Sequence, residues 1–377
     1  MRRGLLLVLA AALVLPAAAA AQTAVFGGLT ITLGGGFANP TGVAVDSSGN
    51  VYVVDVSNQN VVEMPAGCTS SSCVTGVGGG LQSPRGVAVD SSGNVFVADF
   101  DLNNVYKIPP GCTTSSCVTT VGGGFKSPQG LAVDSSGSVY IADSANARIR
   151  KVAPDGIMTL FFGGPDSPTF QPSGSSGTRL AVDANRNVYV GGLTRGVLVI
   201  SPDGSFRTIG SIPNVFGLAF DPSGQLWETE HGPRGGDELN RIEKGKNYGW
   251  PIISHGIDYG GKPTGDAEVA RPGMEQPVYY WSPSTAPSEL AFYKGNLFPE
   301  WKNSVFVCML RGNSLERLTL SGGKVVNEEP LLTDVQMRIR DVRVGPDGAV
   351  YALTDSGGGS INDNSPPSSM LLKLTPK

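Results

Sequence analysis

Three copies of one motif decide the fold: GVAVDSSGNVYVVD at residues 42–55, GVAVDSSGNVFVAD at residues 86–99 and GLAVDSSGSVYIAD at residues 130–143. Each copy begins 44 residues after the previous one. Apolar residues alternate on both sides of an Asp-x-x-Gly turn, which predicts two β-strands joined by a tight hairpin in which glycine supplies a positive φ. The motif therefore predicts a small antiparallel sheet that recurs along the chain.

Four weaker copies continue the pattern through the second half of the chain. They are RLAVDANRNVYVGG at 179–192, GLAFDPSGQLWETE at 217–230, ELAFYKGNLFPEWKNSVFV at 289–307 and DVRVGPDGAVYALTD at 341–355. In the first three units, two further strand-like segments follow each hairpin and give four strands per unit. Four strands at this spacing are typical of propeller blades. The sequence thus predicts an all-β protein, a single β-propeller over residues 22–377 with six or seven blades, and the motif count favours seven.

The last motif copy is followed by only one further strand, so its blade is one strand short. Residues 29–33 form an alternating segment followed by Gly-Gly-Gly, as the outer strands of the other units are. We therefore expect this N-terminal strand to complete the last blade and close the ring.

Composition excludes several classes of protein. The 377 residues include 52 Gly and 27 Pro, and only 16% are charged, which argues against a coiled coil. The chain has 28 Lys and Arg against 32 Asp and Glu, a formal net charge of −4, and no basic run. Nucleic acid is therefore not an expected partner.

The N-terminus reads MRRGLLLVLAAALVLPAAAAAQ, with a basic start, a short apolar stretch and a small-residue zone. This pattern predicts a signal peptide over residues 1–21 and a periplasmic or secreted protein. A membrane anchor is the alternative, but the apolar stretch is short for a bilayer span. No other segment is apolar enough to cross a membrane, so we expect no transmembrane segment in the mature chain.

Four of the five cysteines form two GC-x4-C pairs, Cys68 with Cys73 and Cys112 with Cys117. Export favours disulfides within each pair, and a zinc site is the rival interpretation. Cys308 lies in the apolar run VFVCML and is expected to be a buried core residue.

The chain resembles two propeller families in its two halves. Residues 41–160, with three near-identical motif copies, resemble NHL repeats, which imply a scaffold or binding surface. Residues 174–377 resemble the soluble PQQ-dependent aldose sugar dehydrogenases, the glucose/sorbosone dehydrogenase family. The matching segments are LWETEHGPRGGDELNRIEKGKNYGWP at 226–251, YYWSPSTAPSELAFYKGNLFPEW at 279–301 and RIRDVRVGPDGAVYALTD at 338–355.

The second resemblance implies an enzyme that oxidises an aldose at C1 by hydride transfer to a calcium-bound quinone, PQQ. It also implies a sugar substrate and an electron acceptor as partners. The family holds calcium against the quinone with the backbone carbonyls of its Gly-Pro loop, which correspond to Gly232 and Pro233. Carbonyl oxygens are suitable calcium ligands. His231 would lie beside the cofactor; a loop histidine that caps the backbone is the alternative.

In this family, basic residues bind the carboxylates of the cofactor, and they correspond to Arg311, Arg338 and Arg340. Arg338 and Arg340 alternate on one strand and can face one anionic ligand with their planar guanidinium groups. Ordinary strand arginines paired with nearby carboxylates are the alternative. Asn214 matches a further cofactor-binding position, but the arginine that precedes it in the family is absent.

A second, structural calcium is implied by the spacing DELN…NYGWP…GIDYGG. Its ligands correspond to Glu238, the backbone carbonyl of Tyr248 and Asp258, with Glu275 as a further candidate. Loop acids that bind nothing are the alternative.

The chain departs from the family at the catalytic base. The family has a histidine two residues before the strand that corresponds to residues 177–180, and this chain has Ser175 there. The aspartate that orients this histidine is replaced by Leu193 and Thr194. A serine with no base beside it does not accept a proton at neutral pH as imidazole does. The sequence therefore predicts a PQQ-dependent sugar dehydrogenase with impaired proton transfer, and the alternative is a non-catalytic exported propeller that binds a partner or acts as a scaffold.

Overall fold

The alternating segments form 28 β-strands, which are arranged in seven four-stranded antiparallel sheets. The computed structural model describes residues 29–164, 177–194, 196–209, 215–356 and 369–376. These residues contain no α-helix. They include four short 3₁₀ turns: Ser71–Cys73, Ser115–Cys117, Ser144–Asn146 and Pro299–Trp301.

The first four blades contain sixteen strands. Blade one is β2 (Pro40–Val45), β3 (Val51–Asp55), β4 (Asn60–Met64) and β5 (Thr75–Val77). Blade two is β6 (Pro84–Val89), β7 (Val95–Asp99), β8 (Asn104–Ile108) and β9 (Thr119–Thr120). Blade three is β10 (Pro128–Val133), β11 (Val139–Asp143), β12 (Arg148–Val152) and β13 (Met158–Gly163). Blade four is β14 (Arg179–Val182), β15 (Val188–Gly191), β16 (Val197–Ile200) and β17 (Phe206–Ile209).

The last three blades contain the other twelve strands. Blade five is β18 (Val215–Phe220), β19 (Leu226–Glu230), β20 (Asp237–Arg241) and β21 (Tyr279–Trp281). Blade six is β22 (Pro287–Phe292), β23 (Ser304–Met309), β24 (Leu315–Ser321) and β25 (Lys324–Leu331). Blade seven is β26 (Arg338–Val344), β27 (Val350–Asp355), β28 (Ser369–Thr375) and β1 (Leu29–Phe37).

The seven sheets form a closed ring. The first strand of each blade contacts the first strands of both neighbouring blades, so these strands surround the axis. β1 pairs antiparallel with β28, with Leu29 opposite Thr375. The all-β propeller, its closure by the N-terminal strand and the blade count of seven are therefore confirmed.

The hairpin turns repeat one hydrogen-bond pattern. The Asp46 carboxylate accepts the backbone N–H groups of Ser48 and Asn50, each at 2.9 Å, and Gly49 has a φ of 88°. An aromatic residue of the following strand binds the same aspartate. Tyr52 donates to Asp46 at 3.3 Å, and in blade five the Trp227 indole donates to Asp221 at 3.0 Å. The Asp-x-x-Gly signature therefore fixes both the turn and the aromatic residue beside it.

The core lies between adjacent blades. Val54 of blade one packs with Val97 of blade two, and the Trp227 ring of blade five meets Phe292 of blade six edge to face at 5.5 Å. Near the axis the first strands approach so closely that a Cβ atom at Gly130 would overlap the Thr178 carbonyl oxygen. Glycine at this motif position therefore permits the ring to close.

Blades four, six and seven place a charged residue at that glycine position: Arg179, Glu289 and Asp341. Arg179 Nε lies 3.3 Å from Glu289 Oε1, and Asp341 Oδ2 accepts the Val43 N–H at 3.0 Å. These side chains line an axial cavity of about 120 Å³. Charged side chains from the second half of the chain therefore line the axial cavity.

The cysteines follow the sequence prediction. Cys68 pairs with Cys73 and Cys112 with Cys117, with Cα–Cα separations of 6.0 and 5.8 Å, and Cys308 is free and buried. Within the described ranges, no helix has the length and apolar character needed to span a bilayer. The predicted signal peptide lies outside the described residues.

Candidate active site

The candidate cofactor residues lie at one end of the ring. In an antiparallel blade, the loop that joins the second strand to the third lies at the end where the first strand begins. Residues 231–236 and 310–314 are such loops in blades five and six, and Arg338 begins the first strand of blade seven. We call this end the upper face.

The loop at residues 231–236, here called the Gly-Pro loop, is held at both ends. Gly232 donates its N–H to Asp237 Oδ1 at 2.8 Å, and Gly236 donates to the Trp281 carbonyl at 2.8 Å. Arg234 donates its N–H to the Ile257 carbonyl at 3.1 Å. The loop that would present the Gly232 and Pro233 carbonyls to a metal is therefore fixed by the backbone around it.

His231 is fixed on the same loop. Its Nε2 lies 2.7 Å from the Pro287 carbonyl oxygen, and because a carbonyl only accepts, Nε2 is the donor. The ring stacks on Phe216 with a centroid distance of 3.6 Å and an interplanar angle of 11°. Burial lowers the pKa of His231, although the Pro287 carbonyl opposes this effect, so the imidazole is neutral at pH 7.

His255, the other histidine, lies in the segment that packs against the Gly-Pro loop. Its ring stacks on Tyr280 with a centroid distance of 3.9 Å. Burial lowers the pKa of His255, and a hydrogen bond with Gln276 opposes the shift. The two histidines therefore stack on different aromatic rings and form no pair.

Arg338 and Arg340 lie together on β26 and share one carboxylate. Arg340 Nε donates to Asp355 Oδ2 at 3.0 Å, and Arg338 Nε lies 3.6 Å from the same oxygen. The side chains remain partly open to solvent, with exposed fractions of 35% for Arg338 and 23% for Arg340. Two positive charges against one negative charge leave the pair able to attract an anion.

Arg311 lies on the neighbouring loop of blade six, and its side chain is exposed. Its N–H donates to the Thr285 carbonyl at 2.9 Å. Among the described residues, no carboxylate lies within ion-pair distance of the Arg311 guanidinium. The hydroxyl of Ser288, in the strand that follows Thr285, donates to the Arg340 carbonyl at 2.9 Å, so these parts of the upper face are connected.

A set of buried acids lies beneath the Gly-Pro loop. Glu230 is paired in register with Glu238, and Glu228 with Asn240, across β19 and β20. Glu228 and Asn240 are fully buried, and both Glu228 carboxylate oxygens and Asn240 Oδ1 have no hydrogen-bond partner. Asn240 donates its amide to Glu238 Oε2 at 3.1 Å. Burial raises the pKa of all three glutamates, and the Asn240 side chain opposes the shift at Glu228 and Glu238.

The side chains of the residues that supply the other predicted calcium ligands make contacts of their own. The Tyr248 hydroxyl donates to the Arg241 carbonyl at 2.7 Å, Asp258 accepts the Lys262 N–H at 2.8 Å, and Glu275 pairs with Lys246 at 2.7 Å. In the part of the chain that the structure describes, no three His, Cys, Asp or Glu side chains stand in metal-binding geometry. Glu238 is thus brought together with Glu228 and Glu230.

Sequence reasoning missed Glu228, Glu230, Asn240 and Asp237. The available signal was Glu228 in LWETE, which stands at a strand position where the other blades have apolar residues. Ser175 and Asn214 lie outside the described residues. Leu193, at the place of the orienting aspartate, is buried in the core between blades three and four.

Two protein-family models match different parts of the chain. Residues 208–363 match the family model described as Glucose / Sorbosone dehydrogenase. Residues 37–63, 81–105 and 125–152 match the NHL repeat model. Both resemblances that the sequence indicates are therefore confirmed.

Individual relatives each match less than half of the chain. The chain is 46% identical over 158 residues to aldose sugar dehydrogenase YliI of Escherichia coli K12, covering 41% of this chain and 42% of that protein. It is 26% identical over 224 residues to quinoprotein glucose dehydrogenase B of Acinetobacter calcoaceticus, covering 44% of this chain and 47% of that protein. The matches therefore span less than half the length of these curated relatives.

The likeness of the folds covers nearly the whole chain. A crystal structure described as glucose dehydrogenase has a TM-score of 0.61 and 26% identity, and the match covers 93% of this chain and 100% of that one. The likeness of the folds therefore includes the NHL-like blades as well as the second half of the chain.

Proposed function

We propose that this protein is an exported sugar dehydrogenase that oxidises an aldose at C1 and uses PQQ and calcium. One observation carries the proposal. The segment that matches the sugar dehydrogenase family model brings Gly232, Pro233, Arg311, Arg338 and Arg340 to the upper face of the ring. When bound, PQQ supplies the hydride acceptor and calcium polarises its quinone.

The arginines fit an anionic cofactor. Arg311 is exposed and has no carboxylate within ion-pair distance among the described residues, and Arg338 and Arg340 share the carboxylate of Asp355. Unused guanidinium donors are suited to carboxylates. In this proposal Arg311, Arg338, Arg340 and Asn214 hold the PQQ carboxylates, and His231 lies beside the ring system.

We propose two calcium sites in different parts of blade five. The Gly232 and Pro233 carbonyls would hold the first at the cofactor. The second would lie at Glu238, with the Tyr248 carbonyl and Asp258 as the proposed family ligands. Unpartnered oxygens of Glu228 and Asn240 beside Glu238 fit a hard cation, because buried carboxylates without partners are costly.

Proton transfer is the weak step of the proposed reaction. Ser175 occupies the sequence position of the family histidine that would accept the proton of the sugar hydroxyl, and Leu193 provides no carboxylate to orient a base. We therefore propose slow turnover with intact cofactor binding. The signal peptide over residues 1–21 would deliver the propeller to the periplasm or the medium, where a sugar and an electron acceptor would be its partners.

The experiment combines binding and activity. Purified protein is titrated with PQQ in calcium or in chelator, and the bound cofactor is followed by absorbance. Loaded protein is then given glucose and an artificial electron-accepting dye. Calcium-dependent binding with slow, sugar-dependent dye reduction supports the proposal.

A second candidate is a non-catalytic exported propeller that binds a partner or acts as a scaffold. The three NHL-repeat matches in blades one to three favour it, as does the missing base. Absence of PQQ binding in both calcium and chelator would support this candidate over the dehydrogenase.

A further inference from the structure

Asp237, the first residue of β20, is a fully buried carboxylate that binds two separate segments of the chain. Its Oδ1 accepts the Gly232 N–H at 2.8 Å. Its Oδ2 accepts the N–H groups of Thr285 and Ala286 at 2.7 and 2.8 Å, and the Ser284 hydroxyl lies 2.8 Å from the same oxygen. One side chain therefore joins the Gly-Pro loop of blade five to the segment that enters blade six.

The second segment in turn positions Arg311. The Thr285 carbonyl accepts the N–H of Arg311 at 2.9 Å and that of Gly312 at 3.2 Å. The Ala286 carbonyl accepts the Leu310 N–H at 3.0 Å. The path from Gly232 through Asp237 and Thr285 to Arg311 consists of hydrogen bonds between buried or backbone groups.

Other blades use a strand-end aspartate differently. Asp99 ends the second strand of blade two, is fully buried and accepts the N–H groups of Gln82 and Ser83, which precede the first strand of the same blade. In blade five the residue at that position is Glu230, and Asp237 binds the start of the next blade instead. Asp237 therefore connects blade five to blade six, whereas Asp99 connects segments within its own blade.

We propose that Asp237 is a positioning residue that sets the Gly232–Pro233 carbonyls at a fixed distance from Arg311. The inference rests on the proposed function, in which these groups hold calcium and PQQ. A cofactor that bridges the two loops binds tightly only if both are held in place, since small displacements of binding groups cause large losses. Loss of the carboxylate would leave three backbone donors of the two loops without an acceptor.

The test compares Asp237→Asn with Asp99→Asn. Both variants keep the side-chain shape and replace one carboxylate oxygen by an amide group that faces backbone donors, so both should lower stability similarly. The dissociation constant of PQQ in excess calcium is measured by absorbance titration. We expect Asp237→Asn to weaken PQQ binding by at least about tenfold, because it disturbs the positions of the binding groups. Asp99→Asn should change PQQ binding less than about twofold, because it only destabilises the fold.

Two further variants complete the test. Ser284→Ala removes one hydrogen-bond donor to Asp237 and should weaken PQQ binding slightly. This variant replaces Asp237→Asn in the test if Asp237→Asn does not fold. Arg311→Ala should cost less PQQ affinity in the Asp237→Asn background than in the wild type, because the two residues act through one path. Wild-type affinity in Asp237→Asn, or in Ser284→Ala where Asp237→Asn does not fold, would overturn the inference. A wild-type protein that binds no PQQ would instead overturn the proposed function, and this role of Asp237 with it.

Discussion

Arg340 donates to Asp355 Oδ2 at 3.0 Å across two neighbouring strands of blade seven, and Arg338 Nε approaches the same oxygen to 3.6 Å. The carboxylate holds both guanidinium groups on one side of β26 but neutralises only one of them. This arrangement organises the two arginines and leaves one excess positive charge at the upper face.

Arg340→Ala should weaken PQQ binding by roughly 1.5–3 kcal/mol, the range for a hydrogen bond to a charged group. The matched control is Arg317→Ala, which removes an arginine that pairs with Glu329 in blade six, outside the proposed cofactor site. Absorbance titration of both variants in excess calcium checks the prediction. Equal affinities of Arg340→Ala and wild type would show that the arginine only pairs with Asp355.

Calcium should raise the melting temperature, because a ligand that binds only the native state stabilises it by mass action. Glu228→Gln should reduce this rise, because it replaces a carboxyl that can ionise beside a cation with a neutral amide, and it should change the melting temperature in chelator little, since burial already favours the neutral form of Glu228. Glu300→Gln, on the surface, serves as the control. Identical melting of the wild type in calcium and in chelator would contradict a metal at the buried acids.

Glu316 should make stability depend on pH near neutrality. Burial raises the pKa of this carboxyl to about 7, with a contribution from Glu328, while a hydrogen bond from Ser314 opposes the shift. The folded state thus holds the proton more tightly than the unfolded chain, so the stabilisation is complete below about pH 4 and is lost as pH rises through about 7.

The loss can reach about 3 kcal/mol, and Glu316→Gln should remove it. Denaturant unfolding of both proteins between about pH 5 and pH 8 measures the effect. A constant difference in unfolding free energy between wild type and variant over this range would show that Glu316 does not titrate there.

Ser175→His should raise sugar turnover without a change in PQQ affinity. Loss of a general base forfeits about 10²–10⁴-fold in rate, and imidazole at this position would restore part of it. Steady-state dye reduction with glucose is the measurement, with PQQ titration alongside. Unchanged turnover in a variant that binds PQQ normally would show that the base position is not the limiting feature.

The repeats were enough to predict the ring. The alternation of apolar residues, the Asp-x-x-Gly turn and the grouping of strands in fours are local properties of the sequence. They predict the hairpins, and the missing strand of the last group predicts the position of β1. The hydrogen bond between Tyr52 and Asp46 is local too, because the two residues lie six positions apart in the sequence. Such features follow from sequence since the turn brings their atoms together.

The site could be predicted only in part. Family motifs locate Arg338 and Arg340, but their shared partner Asp355 depends on the register of β26 against β27. The contacts of Asp237 with Thr285 and Ala286 join residues 48 and 49 positions apart, which no local pattern predicts. The buried set around Glu228 depends in the same way on the pairing of β19 with β20.

A single-turnover experiment tests the central claim most directly, because it needs no electron acceptor. Protein is loaded with PQQ and calcium, freed of excess cofactor and mixed with an aldose, and the absorbance of the bound quinone is recorded over time. Slow but complete, sugar-dependent reduction of the bound PQQ is the predicted result. Bound PQQ that stays oxidised in the presence of aldoses, or a protein that retains no PQQ, would contradict the assignment as a sugar dehydrogenase.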